Sequence, residues 1–111
     1  MIRSFSAGDV PVSHSSLDSA DVVDGDVTTG EVELDTIGEI SVGVWEHSAG
    51  TSTATEIDEV FVVISGRGRV TDAEGNVIEL APGVIGVLPA GASTTWEVTE
   101  PIRKVWVTLA E

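Results

Sequence analysis

The chain has 111 residues, no cysteine, and 19 acidic against five basic side chains, a formal charge of −14 at neutral pH. That length makes one domain with enough buried surface for its own core, the missing cysteines exclude disulfides, thiolate metal sites and a cysteine nucleophile, and the charge excludes nucleic acid and anionic membranes as main partners, since both are bound by basic patches. The N-terminus lacks the apolar core of a signal peptide and no stretch approaches the roughly 18 apolar residues of a spanning helix, so a cytoplasmic location is expected.

Residues 1–26 are rich in Ser, Asp, Val and Gly without a sustained period. They predict irregular chain with an edge strand at residues 10–12, where Pro11 is tolerated. The domain proper is expected over residues 27–111. Val32 and Leu34 alternate with Glu31, Glu33 and Asp35, and Ile40, Val42 and Val44 alternate with Ser41, Gly43 and Trp45, which gives two strands of period two. Residues 36–39 join them as a hairpin turn.

Residues 60–64 form a short β-branched and aromatic run, read as a buried strand stopped by Gly66. Ahead of it stand three carboxylates, Glu56, Asp58 and Glu59. A carboxylate facing inward there needs a partner, because an unpaired buried charge is costly. Gly75 and Asn76 mark a hairpin between strands at residues 68–71 and 77–80, with further strands at 84–88, 94–99 and 102–109, the last two separated by Glu100 and Pro101. With no apolar face at helical spacing, about eight to ten short strands indicate an all-β sandwich or closed barrel.

The turn glycines and Glu59 give this chain a resemblance to the cupin superfamily. Glu59 and Gly66 stand at the interval that ends the first cupin signature, and Gly83, Pro89 and Gly91 fit the second without a gap. The sharper likeness is to the small single-domain cupins that resemble the ethanolamine-utilisation cupin, with ureidoglycine aminohydrolase more distant. It rests on Gly43, Val44, Trp45 and Glu46 with Gly50, on Asp58 and Glu59, on Thr71 and Asp72 with Gly75, on Pro89, Ala90 and Gly91, on Trp96, Glu97 and Val98, and on residues 100–104 followed by Trp106. The resemblance covers about residues 25–109. It implies an all-β double-stranded β-helix, the RmlC-like jelly-roll barrel of antiparallel strands.

In a metal-binding cupin, histidines precede the glutamate by four and six residues; here those positions are Thr55 and Thr53, and one residue of slack gives Ala54 and Ser52. The histidine expected after Gly91 is Thr94. Hydroxyls are poor ligands for metals that imidazole suits, so no metal cofactor is expected, with Glu59 the remaining ligand if one divalent ion binds weakly. His14 and His47 fall outside the motif and are expected at the surface or as caps.

Strand alternation carries the lumen face from Glu59 through Phe61 and Val63, and from Thr94 through Trp96 and Val98. On the last strand, pattern alone would bury Val105, Val107 and Leu109, whereas the resemblance favours Lys104 and Trp106 inside. On the second reading the pocket holds Glu59 and Lys104 as candidate catalytic or ion-paired groups. Trp45, Phe61, Trp96 and Trp106 form its walls, and Thr53, Thr55 and Thr94 supply hydroxyls. Such a set suits a small polar metabolite with a flat or carboxylate part. Glu56 and Asp58 are expected at the rim, Thr71 and Asp72 in the hairpin, and Glu97 in an ion pair with Arg103.

The first functional reading is a small-molecule-binding cupin with a degenerate metal site. The alternatives are an enzyme on a small nitrogenous or carbonyl metabolite, aminohydrolase-like or isomerase-like, using Glu59, and an acidic interaction module built on a packed barrel. A homodimer paired through its sheets is also expected.

Overall fold

The computed structural model describes residues 1–109. Nine antiparallel strands and one 3-10 turn (Ser19–Asp21) make up the regular structure: β1 (Ser15–Ser16), β2 (Val22–Asp24), β3 (Thr28–Ile37), β4 (Ile40–His47), β5 (Gly50–Thr55), β6 (Glu59–Asp72), β7 (Val77–Leu80), β8 (Ile85–Leu88) and β9 (Ser93–Leu109). Among these residues no helix is long and apolar enough to cross a membrane. Two long strands organise everything else. The first half of β6 pairs with β8 and with the second half of β9, which also pairs with β4; the second half of β6 pairs with β7 and with the first half of β9, which also pairs with β5. Because both strands serve both halves, the sheet curls into a jelly-roll barrel.

The bend falls at Gly66 and Pro101. Between Val63 and Gly68 the register of β6 shifts repeatedly against β9, as bulges do where a strand turns a corner. Gly66 has φ +96, and a Cβ there would stand 2.1 Å from the Pro101 carbonyl oxygen. The sequence signals for strand ends at Gly66 and Pro101 are therefore corners inside continuous strands: the ladder is already interrupted, so the N–H that proline lacks costs little. The strand expected at residues 10–12 is replaced by the two-residue β1, paired with β3 through Ser15 and Thr29. The segment from Ala7 to Val10 is nonetheless held against the barrel, for Arg103 donates to the carbonyls of Ala7 at 2.9 and 2.7 Å and of Val10 at 2.6 Å.

The last strand turns inward the side that its pattern alone would expose. Ile102, Lys104 and Trp106 are buried while Val107 and Leu109 are exposed. Register explains the fit, since Gly43, Trp106, Phe61 and Gly86 lie side by side across β4, β9, β6 and β8. A Cβ on Gly43 would meet the Trp106 ring at 2.2 Å, and one on Gly86 would meet the Phe61 ring at 2.2 Å. Two glycines thus make room for two large rings. The valines go to the opposite face, where Val42, Val107, Val60 and Val87 form one row and Val44, Val105, Val62 and Ile85 the next.

Candidate functional site

Lys104 comes from β9, between Trp45 on β4 and Val63 on β6. Its side chain is 4% exposed and its ammonium sits 2.6 Å from Glu59 Oε2, with Trp45, Trp96 and Phe61 ring centroids at 4.4, 4.6 and 4.7 Å. A carboxylate and three ring faces together stabilise a buried cation. Burial still holds the Lys104 pKa below its ordinary value, against the opposing pull of Glu59.

A cavity of about 190 Å³ opens beside this ammonium, lined among others by Glu59, Lys104, Trp45, Trp96, Trp106, Ser52, Thr53, Ala54, Glu31 and Glu56. A cavity of about 150 Å³ accommodates a benzene-sized molecule, so this one suits a compound of similar scale. The barrel therefore gathers the chain's single lysine and all three of its tryptophans round one space. Trp106 leaves its buried indole N–H without an acceptor among the described residues.

Of the side chains singled out from the sequence, Glu59, Lys104, Trp45, Trp96 and Trp106 meet at this cavity, and Thr53 borders it from an exposed position. Phe61 lies beneath the ammonium in the core. Thr94 is buried and donates to Glu56 Oε2 at 2.6 Å. Thr55 is exposed and lines a separate depression with Thr95 and Ser93. Pairing accounts for the difference: Ser52 lies beside Trp96 and Ala54 beside Thr94, so the inward positions of β5 are Ser52 and Ala54, and Thr53 and Thr55 fall on the other face.

Glu56, expected at the rim, belongs to the site. It lines the cavity and accepts from Thr94 Oγ1 and, at 3.0 Å, from Trp96 Nε1. Its backbone is fixed against the Pro89 to Ala92 turn, with Glu56 N–H donating to Ala92 O and Gly91 N–H to Glu56 O. Asp58 does stay exposed, accepting from the Ala90 N–H. Asp72 serves the hairpin, accepting from Glu74 and Asn76. The Arg103 partner is Glu46 at 2.8 Å, because both extend from the outer face of the β4 and β9 pair; Glu97 lies nearer Arg69, at 3.7 Å.

His14 is exposed, bonded to Thr28 and Glu46. His47, expected at the surface, is only 1% exposed. Its Nδ1 lies 2.5 Å from the Ser48 carbonyl and its Nε2 2.8 Å from Ser52 Oγ. A carbonyl only accepts, so Nδ1 carries the proton and Nε2 accepts from the Ser52 hydroxyl. Burial, followed by the nearby Lys104 charge, holds the His47 pKa below 6.5. The unfolded chain therefore takes up this proton first as the pH falls. Stability contributed by neutral His47 is complete above about pH 6.5 and is lost on acidification towards the lower folded pKa. The melting temperature should fall between about pH 7 and 5.5, and His47→Gln should flatten that part of the curve; an equal slope in both proteins would exclude His47 as its source.

The metal that the cupin resemblance raises is not fitted by these residues. The inward positions offer Ser52, Ala54 and Thr94 where imidazoles would stand, and Glu59 already holds an ammonium, against which a divalent ion would be repelled. Among the described residues no three His, Asp or Glu side chains gather as a metal cluster.

Residues 34–106 match the family model of the EutQ-like cupin domain. Among solved structures, the chain is similar to the EutQ protein of Clostridium difficile (23% identity, 96% of this chain and 86% of that one, TM-score 0.74). It also resembles a candidate ethanolamine utilization protein Q of Salmonella typhimurium (18% identity, 89% and 95%, TM-score 0.64). A protein of unknown function from Pseudomonas syringae is likewise similar (20% identity, 89% and 44%, TM-score 0.75). No curated protein matches the sequence. Likeness at these identities carries the fold alone.

Proposed function

This chain belongs to the EutQ-like cupin domain family, and we propose that it binds a small polar metabolite inside the barrel, at a degenerate metal site in which a lysine ammonium stands beside the glutamate. The observation that carries this reading is the cavity of about 190 Å³ at the buried Lys104 and Glu59 pair, walled by Trp45, Trp96 and Trp106. Apolar walls with a few converging polar groups are the usual make-up of such sites. An open cavity supports binding over a packed barrel that serves only as an interaction scaffold.

All three tryptophans line the cavity, so intrinsic fluorescence reports on it without a label. Titration with small carboxylates, amines and aldehydes is expected to shift the emission saturably with at least one compound. Trp96→Phe should diminish the signal. If no compound moves the emission and native mass spectrometry of freshly purified protein shows no retained ligand, the binding reading falls. The catalytic alternative rests on the 2.6 Å contact, which gives Glu59 a proton to accept. The protein is further proposed to act in the cytoplasm as a homodimer, joined through the exposed Val60, Val87, Ile85 and Val107 of its outer face.

A further inference from the structure

A surface lysine is commonplace, and in a chain of this charge the ordinary place for one would be among the acids at the surface. This chain has a single lysine, and it is buried. Arg3, Arg67 and Arg69, by contrast, pair with carboxylates at exposed positions, and Arg103 ties down the N-terminal segment. A buried ion pair is a weak source of stability, since packed apolar groups of similar volume often do as well or better. What separates lysine from arginine at such a place is that its amine can lose a proton and become a nucleophile.

We propose that Lys104 forms an imine with a small aldehyde or ketone that enters the cavity. The proposal rests on the binding reading and names the substrate class for the same site. Glu59, at 2.6 Å, takes a proton from the ammonium. The neutral amine then attacks the carbonyl carbon. A C–N bond forms, the carbonyl π pair moves to oxygen, and one proton passes from the attacking nitrogen to that oxygen to complete the neutral carbinolamine. The proton held by Glu59 next converts the hydroxyl to departing water as nitrogen's lone pair forms the C=N bond. The sum is ammonium plus carbonyl giving protonated imine plus water, with no change of oxidation state and no co-reactant.

The surroundings suit each stage. Burial lowers the Lys104 pKa, which raises the fraction of neutral amine. The protonated imine is again a cation, held by Glu59 and by ring faces 4.4 to 4.7 Å from the present nitrogen. Trp106, on the wall of the same cavity, has an indole N–H still lacking an acceptor among the described residues. A carbonyl or carbinolamine oxygen is an acceptor of the kind it lacks.

The test is trapping with propanal and cyanoborohydride, which reduces an imine to a stable secondary amine. The α-amine at Met1, on an exposed residue, competes as an internal standard. The expected result is gain of one propyl group mapped to Lys104, saturating with propanal and outpacing Met1. Lys104→Arg should abolish it and Glu59→Gln should slow it roughly a hundredfold. The wild-type map alone decides the matter should a variant fold poorly. Alkylation confined to Met1 overturns the imine. If propanal still shifts the tryptophan emission in that case, the binding reading stands without it; if the emission is also unmoved, propanal is no ligand and the wider titration decides binding.

Discussion

Lys104→Met is expected to destabilise the protein by about 3 kcal/mol, and the double variant Lys104→Met with Glu59→Leu to return within about 1 kcal/mol of the wild type or above it. The single change leaves the Glu59 carboxylate, 12% exposed at its side chain, without the ammonium that neutralises it. The double change removes both charges and fills the space with groups that pack against Trp45, Phe61 and Trp96. In urea the midpoints should move with little change in slope, and by melting the single variant should lie about 13 °C below the wild type. A double variant no better than the single would show that the two side chains do not act as a pair.

The alkaline limb gives an independent reading. Since burial holds the Lys104 pKa under 10.5, the folded protein releases this proton before the unfolded chain does. In the window just below 10.5 the unfolded state binds more protons, so this group's contribution makes stability rise with pH there. That contribution should vanish in the double variant. Should the double variant be stable and also unable to trap propanal, the pair is kept for chemistry and not for folding, a conclusion that neither measurement reaches alone.

Much of the fold was legible because strand alternation and turn glycines are local signals, and the barrel follows once they are placed in order. The meeting of Glu59, Lys104 and the tryptophans was legible only with the family resemblance, since the pattern of β9 alone favours burying valines. What stayed hidden is set by long-range register. A one-residue difference in pairing exchanges Thr53 and Thr55 for Ser52 and Ala54, and nothing within β5 chooses between them. Glu56 lies outside any strand, and its role appears only when the Pro89 to Ala92 turn fixes its backbone. Pro101 reads as a terminator in sequence, yet β6 bulges opposite it and lets β9 continue.

Val60→Asp and Val87→Asp are each expected to convert a dimer to a monomer, raising the dissociation constant at least a hundredfold, about 2.7 kcal/mol. Val60 and Val87 are 47% and 68% exposed, next to one another in the row that Val42 and Val107 continue. Contiguous apolar rows of this kind mark interaction surfaces. Two copies that each carry −14 can approach closely only through surface bearing little of that charge, and these rows bear none. A twofold pairing sets each patch against its own copy, which is self-complementary by symmetry. An aspartate there would be buried without a partner, at a cost of several kcal/mol counted over both copies. Salt provides the second arm: screening the repulsion between the acidic flanks should tighten the dimer as ionic strength rises. Sedimentation equilibrium of wild type and variants, at low and high salt, measures both effects. A wild-type monomer at micromolar concentration in either salt would assign the valine rows to something other than a second copy.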